Sequence, residues 1–207
     1  MFKKFDAENS FENLNYNNSA LVYNFLLFFN IWSTMHNKKL NGRFPFRLFK
    51  MNDWDIEHIK ARRLKTMNKN SDTDRENVKK QFEALNIENK SISISIEGSD
   101  PEKLIEEWNK LVDTFSADND IGNLTLLSSE INRSYGNGFF DEKRKEIIKR
   151  DQINAYIPLC TRNIFLKYYT TQNGTDDLSF KMWTDEDKLG YTEALKDCFN
   201  EIINKRI

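Results

Sequence analysis

The pattern of hydrophobic and polar residues predicts a chain that is mostly helical. In residues 19–35 apolar side chains occur on all sides of a predicted helix, which is typical of a helix buried by its neighbours. Asp100 and Pro101 fit the N-cap and the first position of another helix. Apolar residues recur at helical spacing in that helix, 101–115, and in four other segments: 73–85, 139–151, 162–169 and 184–205.

Two further segments alternate in the manner of extended chain. Residues 43–49 alternate basic and apolar side chains, and Pro45 among them is tolerated only in an edge strand, so an extended edge segment is predicted there. In residues 91–96 serine and isoleucine alternate strictly, which predicts a short strand or a low-complexity edge.

A pair of short strands carries the most distinctive residues. The second strand of the pair is short and apolar and follows a Gly-Asn turn at 122–123. Ser128 or Ser129 after it opens a helical turn. The first strand, 54–59, alternates and so separates two sets of side chains: Trp54, Ile56 and His58 on one face, and Asp55, Glu57 and Ile59 on the other.

Composition narrows the class of protein. The 207 residues carry 31 Lys+Arg and 32 Asp+Glu, a formal charge of −1, which excludes a simple polybasic nucleic-acid binder. A hydrophobic share of 39%, with 16 Phe, can fill a sizeable core. The presence of only 7 Gly and 3 Pro disfavours an all-β sandwich or barrel. We expect one globular domain; the length also allows two small ones, but no linker separates them clearly.

The cysteines and the apolar segments bear on the compartment. Cys160 and Cys198 are too few for a disulfide framework or a four-thiolate zinc site, so we expect two reduced, buried thiols. Residues 1–11 mix Lys, Asp and Glu, unlike a secretory signal. The longest apolar stretch, 21–32, is shorter than the about 20 residues that span a bilayer. The expectation is a soluble, cytoplasmic protein.

Histidine chemistry is easily located because the chain has only 2 histidines. His36 follows the buried helix among Asn and Lys and is predicted to be an exposed loop residue. His58 has carboxylates one and three positions before it, Glu57 and Asp55, and carboxylate oxygens suit Mg²⁺. A neutral imidazole beside such a metal can deprotonate water for attack on phosphorus. The alternative is that these three residues form a solvated strand edge.

These residues take part in a larger resemblance. Four motifs occur in order along the chain: Asp55-Ile56-Glu57-His58-Ile59, Gly122-Asn123-Leu124-Thr125-Leu126-Leu127, Asn132-Arg133-Ser134 and Phe140-Asp141-Glu142-Lys143-Arg144. The set resembles the ββα-metal, or HNH, nuclease core, and more narrowly the C-terminal domain of the GmrSD-type, modification-dependent restriction endonucleases. The resemblance implies a mostly helical α+β fold in which helices surround a small ββα-metal (HNH-like) core.

The resemblance implies a role for each candidate site residue. His58 would be the general base, while Glu57, Asp55 and Asn132 would hold one Mg²⁺ ion, with Mn²⁺ as an alternative. Asn123 would be the structural asparagine that ties the loop between the strands and so orients His58. The residues that contact DNA would be basic: Arg62, Arg63, Arg133, Lys143 and Arg144.

The resemblance also implies a layout and partners. The core would comprise 46–60 and 120–150, with an N-terminal helical segment at 1–45, a helical insertion at 61–119 and C-terminal helices at 151–207. Members of that family carry an NTPase-like domain that senses modified DNA. The expected partners are therefore DNA, including modified phage DNA, and an NTPase-like sensor domain or subunit, with no membrane.

Three functions compete at this point. The first is a metal-dependent DNA endonuclease that nicks or cuts phosphodiester bonds in restriction or anti-phage defence. The second is a catalytically inactive HNH-like module that binds DNA or protein in a defence complex; it is supported by Lys60-Ala61-Arg62-Arg63, which stands where the family commonly has Pro-Gln or Ser-Gln. An RNase-type toxin, the third, shares the metal chemistry of the first.

Overall fold

A computed structural model describes residues 11–37, 42–60, 64–88, 98–114, 118–135, 139–169 and 182–204. In those ranges eight α-helices surround a single two-strand antiparallel sheet, so the predicted mostly helical α+β class is confirmed. The elements in chain order are α1 (Ser19–His36), α2 (Phe46–Lys50), β1 (Trp54–His58), α3 (Asp72–Glu88), α4 (Pro101–Thr114), β2 (Leu124–Ser128), α5 (Ser129–Tyr135), α6 (Phe140–Gln152), α7 (Leu159–Phe165) and α8 (Asp185–Asn204).

Helix α1 lies in the middle of the main hydrophobic core. Its residues Val22, Phe25, Leu26 and Phe29 are fully buried and pack with side chains from both strands, α6, α7 and α8. This burial explains why the helix shows apolar residues all round instead of a single stripe. Within the described residues, no helix is long and apolar enough to cross a membrane.

The two cysteines lie in this main core as free thiols, as predicted. Burial raises the pKa of the Cys160 thiol to about 12, and burial also raises the pKa of Cys198. Both groups therefore stay protonated at neutral pH, and they act as small apolar side chains rather than as nucleophiles.

The sheet places the candidate site at the edge of the main core. Strands β1 and β2 are antiparallel, with Trp54 opposite Ser128 and His58 opposite Leu124. All five residues of β2 are buried, so it is the inner strand, and β1 carries the more exposed side chains. Helix α5 follows β2 with no intervening loop, which produces the predicted order of strand, strand and helix.

The helical hairpin of α3 and α4 has a core of its own. Val78 and Phe82 of α3 pack against Trp108 and its neighbours on α4, and Phe139 joins them from just before α6. The Trp108 indole donates a hydrogen bond to the backbone oxygen of Lys65 at 2.7 Å. The residues of the predicted insertion thus form a second hydrophobic cluster beside the main one.

The segment at 43–49 differs from its prediction, because it forms helix α2 instead of an extended edge. Alternation would place Phe44, Phe46 and Leu48 on one face, but the structure buries Phe44 and Phe49 and exposes Phe46 and Leu48. A helical turn, closed by the bond from Phe49 N to the Pro45 oxygen at 3.0 Å, brings the two buried rings to the same side. Burial of these rings therefore outweighs the local alternation.

A helix was predicted at 162–169, and a short strand or low-complexity edge at 91–96. Helix α7 begins at Leu159, directly after Pro158, and ends at Phe165, because Lys167 adopts a left-handed backbone with φ of 63°. The predicted helix at 162–169 was therefore placed too late in the chain. The alternating segment at 91–96 lies outside the described residues.

Candidate active site

Strand β1 carries three candidate site residues with very different exposure. Asp55 is exposed, Glu57 is partly buried, and His58 is buried with only 2% of its surface exposed. The strand is fixed at its start by Trp54, whose indole donates to the backbone oxygen of Phe49 at 2.6 Å. The site is therefore presented by a strand whose backbone is held by both β2 and α2.

Asn123 connects the end of β1 to the loop that precedes β2. Its side-chain oxygen accepts a hydrogen bond from Lys60 N, and its backbone oxygen accepts one from Ile59 N, both at 2.8 Å. Its Nδ2 donates to the backbone oxygen of Asp118 at 2.8 Å, and its own N–H donates to that of Asp120 at 2.8 Å. The side chain is 1% exposed, so these bonds are shielded from water.

The turn that holds Asn123 requires the glycine before it. A Cβ atom added at Gly122 would lie 2.3 Å from Oγ1 of Thr192 and 3.0 Å from Cγ of Lys188, both on α8. Lys188 also binds this loop directly, with Nζ at 2.8 Å from Asp118 and 2.9 Å from Asp120. Close packing against α8 thus fixes the loop that supports the end of β1.

The His58 imidazole is held by residues from two distant parts of the chain. Its Nε2 lies 3.0 Å from Oδ1 of Asn119, and the ring of Tyr16 packs on it with centroids 4.6 Å apart. Tyr16 and Asn119 are themselves joined, since Tyr16 N donates to the Asn119 backbone oxygen at 2.9 Å. In neutral histidine a proton donated from Nε2 leaves the lone pair on Nδ1.

Sequence reasoning missed both Asn119 and Tyr16. Asn119 lies in a short polar stretch after a helix, and asparagines are so common in this chain that a single one gives no signal. Tyr16 lies in a turn ahead of α1, far from the motifs around β1. Only the tertiary arrangement brings them to the imidazole.

Asp55 lies beside Asn132, and the resemblance assigns both residues to the same metal ion. Nδ2 of Asn132, on α5, is 3.4 Å from Oδ2 of Asp55. Burial raises the pKa of the nearby Tyr23 phenol, and the carboxylates of Asp53 and Asp55 raise it further. Asp55 therefore contributes negative potential at the Tyr23 phenol, in addition to accepting the hydrogen bond from Asn132.

Glu57 is paired with a buried lysine. Nζ of Lys143 lies 2.8 Å from Oε1 of Glu57 and also donates to the backbone oxygen of His58. Lys143 is fully buried because it shares the inward face of α6 with Phe140 and Ile147. Lys143 was predicted to contact DNA, and in the structure its ammonium is buried against Glu57 and the His58 carbonyl.

Of the other residues predicted to contact DNA, Arg144 is the one whose side chain the structure describes. Arg144 is partly buried, and its Nε donates to the backbone oxygen of Phe165 at 3.0 Å. Arg62 and Arg63 lie outside the described residues, and so does the side chain of Arg133.

Asp55 on β1 and Asn132 on α5 are the side chains that could hold a magnesium ion with few protein ligands. Among the described residues there is no cluster of three or more His, Cys, Asp or Glu side chains suited to a metal. Mg²⁺, however, keeps several waters and usually takes only one or two carboxylates. Asp55 offers one such carboxylate, the Asn132 amide presents Nδ2 to it, and one oxygen of Glu57 is already held by Lys143.

Comparison with known proteins identifies the class as a restriction-type nuclease family. The family model described as the C-terminal domain of GmrSD restriction endonucleases matches residues 3–187. The chain belongs to this family, which confirms the narrower resemblance, to the GmrSD-type C-terminal domain, seen in the ordered motifs. No curated protein and no solved structure matches the chain.

Proposed function

We propose that the protein is a Mg²⁺-dependent DNA endonuclease that breaks phosphodiester bonds in restriction or anti-phage defence. One contact carries the proposal: Nδ2 of Asn132, on α5, lies 3.4 Å from Oδ2 of Asp55. Asp55 is on β1, the strand that also presents His58. This set contains the oxygen ligands and the base that metal-assisted phosphodiester hydrolysis needs. Membership of a restriction endonuclease family supports DNA as the substrate.

Asp55 and Asn132 are the proposed metal ligands, with Glu57 as a further oxygen donor. Rotation of the Asn132 amide directs its Oδ1, instead of Nδ2, toward the space beside Asp55; the two amide atoms exchange places without any backbone movement. When bound, Mg²⁺ stabilises negative charge on the phosphate and on the leaving oxygen. Asp55 is the exposed carboxylate of the set, so a metal ion held by it would be accessible to substrate phosphates.

His58 is the proposed general base, and Nδ1 is the atom that accepts the proton from water. The contact of Nε2 with Asn119 holds the ring orientation, and with Oδ1 of Asn119 facing the ring it favours the tautomer that carries the proton on Nε2, which makes Asn119 a positioning residue. Because His58 is 2% exposed beneath Tyr16, we expect DNA binding to displace the Tyr16 ring before water reaches Nδ1.

Lys143 and Asn123 are proposed to hold this machinery in place. Lys143 binds the Glu57 carboxylate and the His58 backbone oxygen together, so it fixes two consecutive residues of β1. Asn123 fixes the two residues that follow, Ile59 and Lys60, through backbone bonds. The chain backbone on both sides of the base is therefore held by buried polar groups.

A second candidate function, a module that binds DNA or protein without catalysis, is favoured by two observations. The His58 imidazole is covered, and Glu57 is engaged by Lys143. Such a module would bind its partner but leave DNA intact in the presence of Mg²⁺. In either case we propose that an NTPase-like sensor domain or subunit, which responds to modified phage DNA, licenses the activity in the cell.

Nicking of a supercoiled plasmid tests the proposal. We expect the protein to produce open circles with Mg²⁺ or Mn²⁺ and none with EDTA. An Asp55→Asn variant should need a clearly higher Mg²⁺ concentration for half of its maximal rate, whereas Asp53→Asn, an equal charge change two residues away, should not. Metal-independent nicking, or an Asp55→Asn variant with an unchanged Mg²⁺ requirement, would contradict the assignment.

An Asn119→Ala variant tests the positioning of the base. We expect kcat to fall by about tenfold because the imidazole loses its orientation and preferred tautomer, with KM for DNA unchanged. The pH–rate profile should also move, which a purely structural effect on folding would not cause. An Asn119→Gln variant, which keeps the acceptor on a longer side chain, is the matched comparison and should recover part of kcat. Equal rates for wild type and Asn119→Ala would show that Asn119 does not position His58.

A further inference from the structure

Helix α2 and its flanks form an exposed surface of basic and apolar side chains, here called the α2 surface. Phe46 is 52% exposed and Met51 is 70% exposed, although large hydrophobic side chains at such exposure are individually unfavourable in water. Three of the seven large hydrophobic side chains that stand exposed in the described ranges belong to it. Its members are Arg43, Phe46, Arg47, Leu48, Lys50 and Met51.

The basic groups of the α2 surface are free of intramolecular ion pairs within the described part of the chain. On helix α6, where DNA contacts were predicted, Lys149 is likewise exposed, but other cations are paired or buried. Its Lys145 pairs with Asp141, its Arg150 pairs with Glu130 and Glu146, and Lys143 is buried. The α2 surface thus offers cations whose charge is not already neutralised by a neighbour.

The α2 surface is rigidly attached to the strand that carries the site. Phe49 stacks on Trp54 with centroids 4.8 Å apart and planes at 6°, and the Trp54 indole donates to the Phe49 backbone oxygen. Trp54 directly precedes Asp55. A ligand bound by the α2 surface therefore lies on an element that is packed against the first residue of β1.

The charges on residues 42–57 indicate the chemical class of the ligand that the α2 surface binds. Asp53, Asp55 and Glu57 repel phosphates, and Lys143, the cation nearest to Glu57, is buried in its ion pair. DNA approaching Asp55 therefore needs exposed cations close to the start of β1. Residues 42–51 contain three basic residues and no acidic one, which suits a polyanion and not a basic or uncharged partner.

We propose that the α2 surface docks the sugar-phosphate backbone of duplex DNA beside the active site. Arg43, Arg47 and Lys50 contact phosphates, and Phe46 packs its ring against the apolar face of the sugars. The proposal rests on the proposed function for its substrate. Docking itself involves neither the metal nor His58, so the two can fail separately.

Fluorescence anisotropy of a labelled DNA duplex, measured in EDTA over a range of salt concentrations, tests the docking. The Arg43→Gln/Arg47→Gln/Lys50→Gln variant should bind at least about tenfold more weakly, and the slope of log K against log salt should fall in magnitude by about 2 to 3. The matched control removes three exposed lysines from α3 and α4: Lys80→Gln/Lys103→Gln/Lys110→Gln. We expect this control to stay within about twofold of the wild type, because the change in net charge is the same but the position differs.

A Phe46→Ser variant tests the apolar contact. It should weaken binding without changing the salt slope, whereas Leu189→Ser, an equivalent change at an exposed position on α8, should have no effect. Wild-type affinity and slope in the triple α2 variant, or no DNA binding by the wild type at low salt, would overturn the proposal. Normal docking by a protein that never nicks DNA would overturn only the proposed function.

Discussion

A folded His58→Ala variant is expected to nick supercoiled plasmid at a rate about 10²- to 10⁴-fold below that of the wild type in Mg²⁺. The reason is that no other described side chain on β1 can accept a proton from water in place of Nδ1. Asp55 and Glu57 are committed to the metal and to Lys143, respectively, in the proposed site. DNA binding should be retained, because phosphate contacts supply affinity independently of the base.

His36 provides the matched control for this experiment. It is the other histidine of the chain, lies exposed at the end of α1, and contacts the Trp32 backbone oxygen through Nδ1 at 2.9 Å. His36→Ala should nick at the wild-type rate. Circular dichroism and thermal melting establish that His58→Ala is folded, and His58→Gln keeps more of the ring volume beneath Tyr16. A folded His58 variant that nicks as fast as the wild type would remove His58 from the mechanism.

Loss of the Lys143 ammonium should be the most destabilising single change at the site. We expect Lys143→Ala to lower the free energy of unfolding by about 3–5 kcal/mol. The lysine is fully buried and Glu57 is 13% exposed, so the variant leaves a carboxylate without its partner and the His58 carbonyl without a donor. Urea unfolding monitored by tryptophan fluorescence measures the change.

Lys145→Ala is the control for that measurement. Lys145 is on the same helix and pairs with Asp141, but it is 72% exposed, and exposed pairs contribute about 1 kcal/mol or less. The double variant Glu57→Gln/Lys143→Met replaces both charges and should recover part of the loss, since no buried charge then lacks a partner. Equal stability of Lys143→Ala and Lys145→Ala would contradict the buried pair.

The parts of the fold that depend on local pattern were predictable from the sequence. Alternation at 54–59 and the Gly-Asn turn at 122–123 located both strands, and helical spacing located most helices to within a few residues. The order of the four motifs located Asp55 and Asn132, and the structure places them in contact. In these cases the information lies within a few neighbouring residues.

The remaining features depend on contacts between distant parts of the chain. The α2 segment alternates like a strand, but two buried rings select a helical turn. Lys143 occurs in a charged run typical of an exposed helix, and only its spacing with Phe140 and Ile147 could have indicated that it faces inward. Asn119 gave no signal, because its importance arises entirely from where the loop before β2 packs.

The surroundings of His58 also determine when the site is completed as the chain folds. Its partners lie at Tyr16 and at Asn119, the latter 61 residues further along the chain, so two long loops must close before the imidazole is oriented. A nascent or truncated chain that lacks either partner has the same β1 residues but a base without fixed orientation. If His58 is the base, as proposed, cleavage would begin only after both of these long-range contacts have formed.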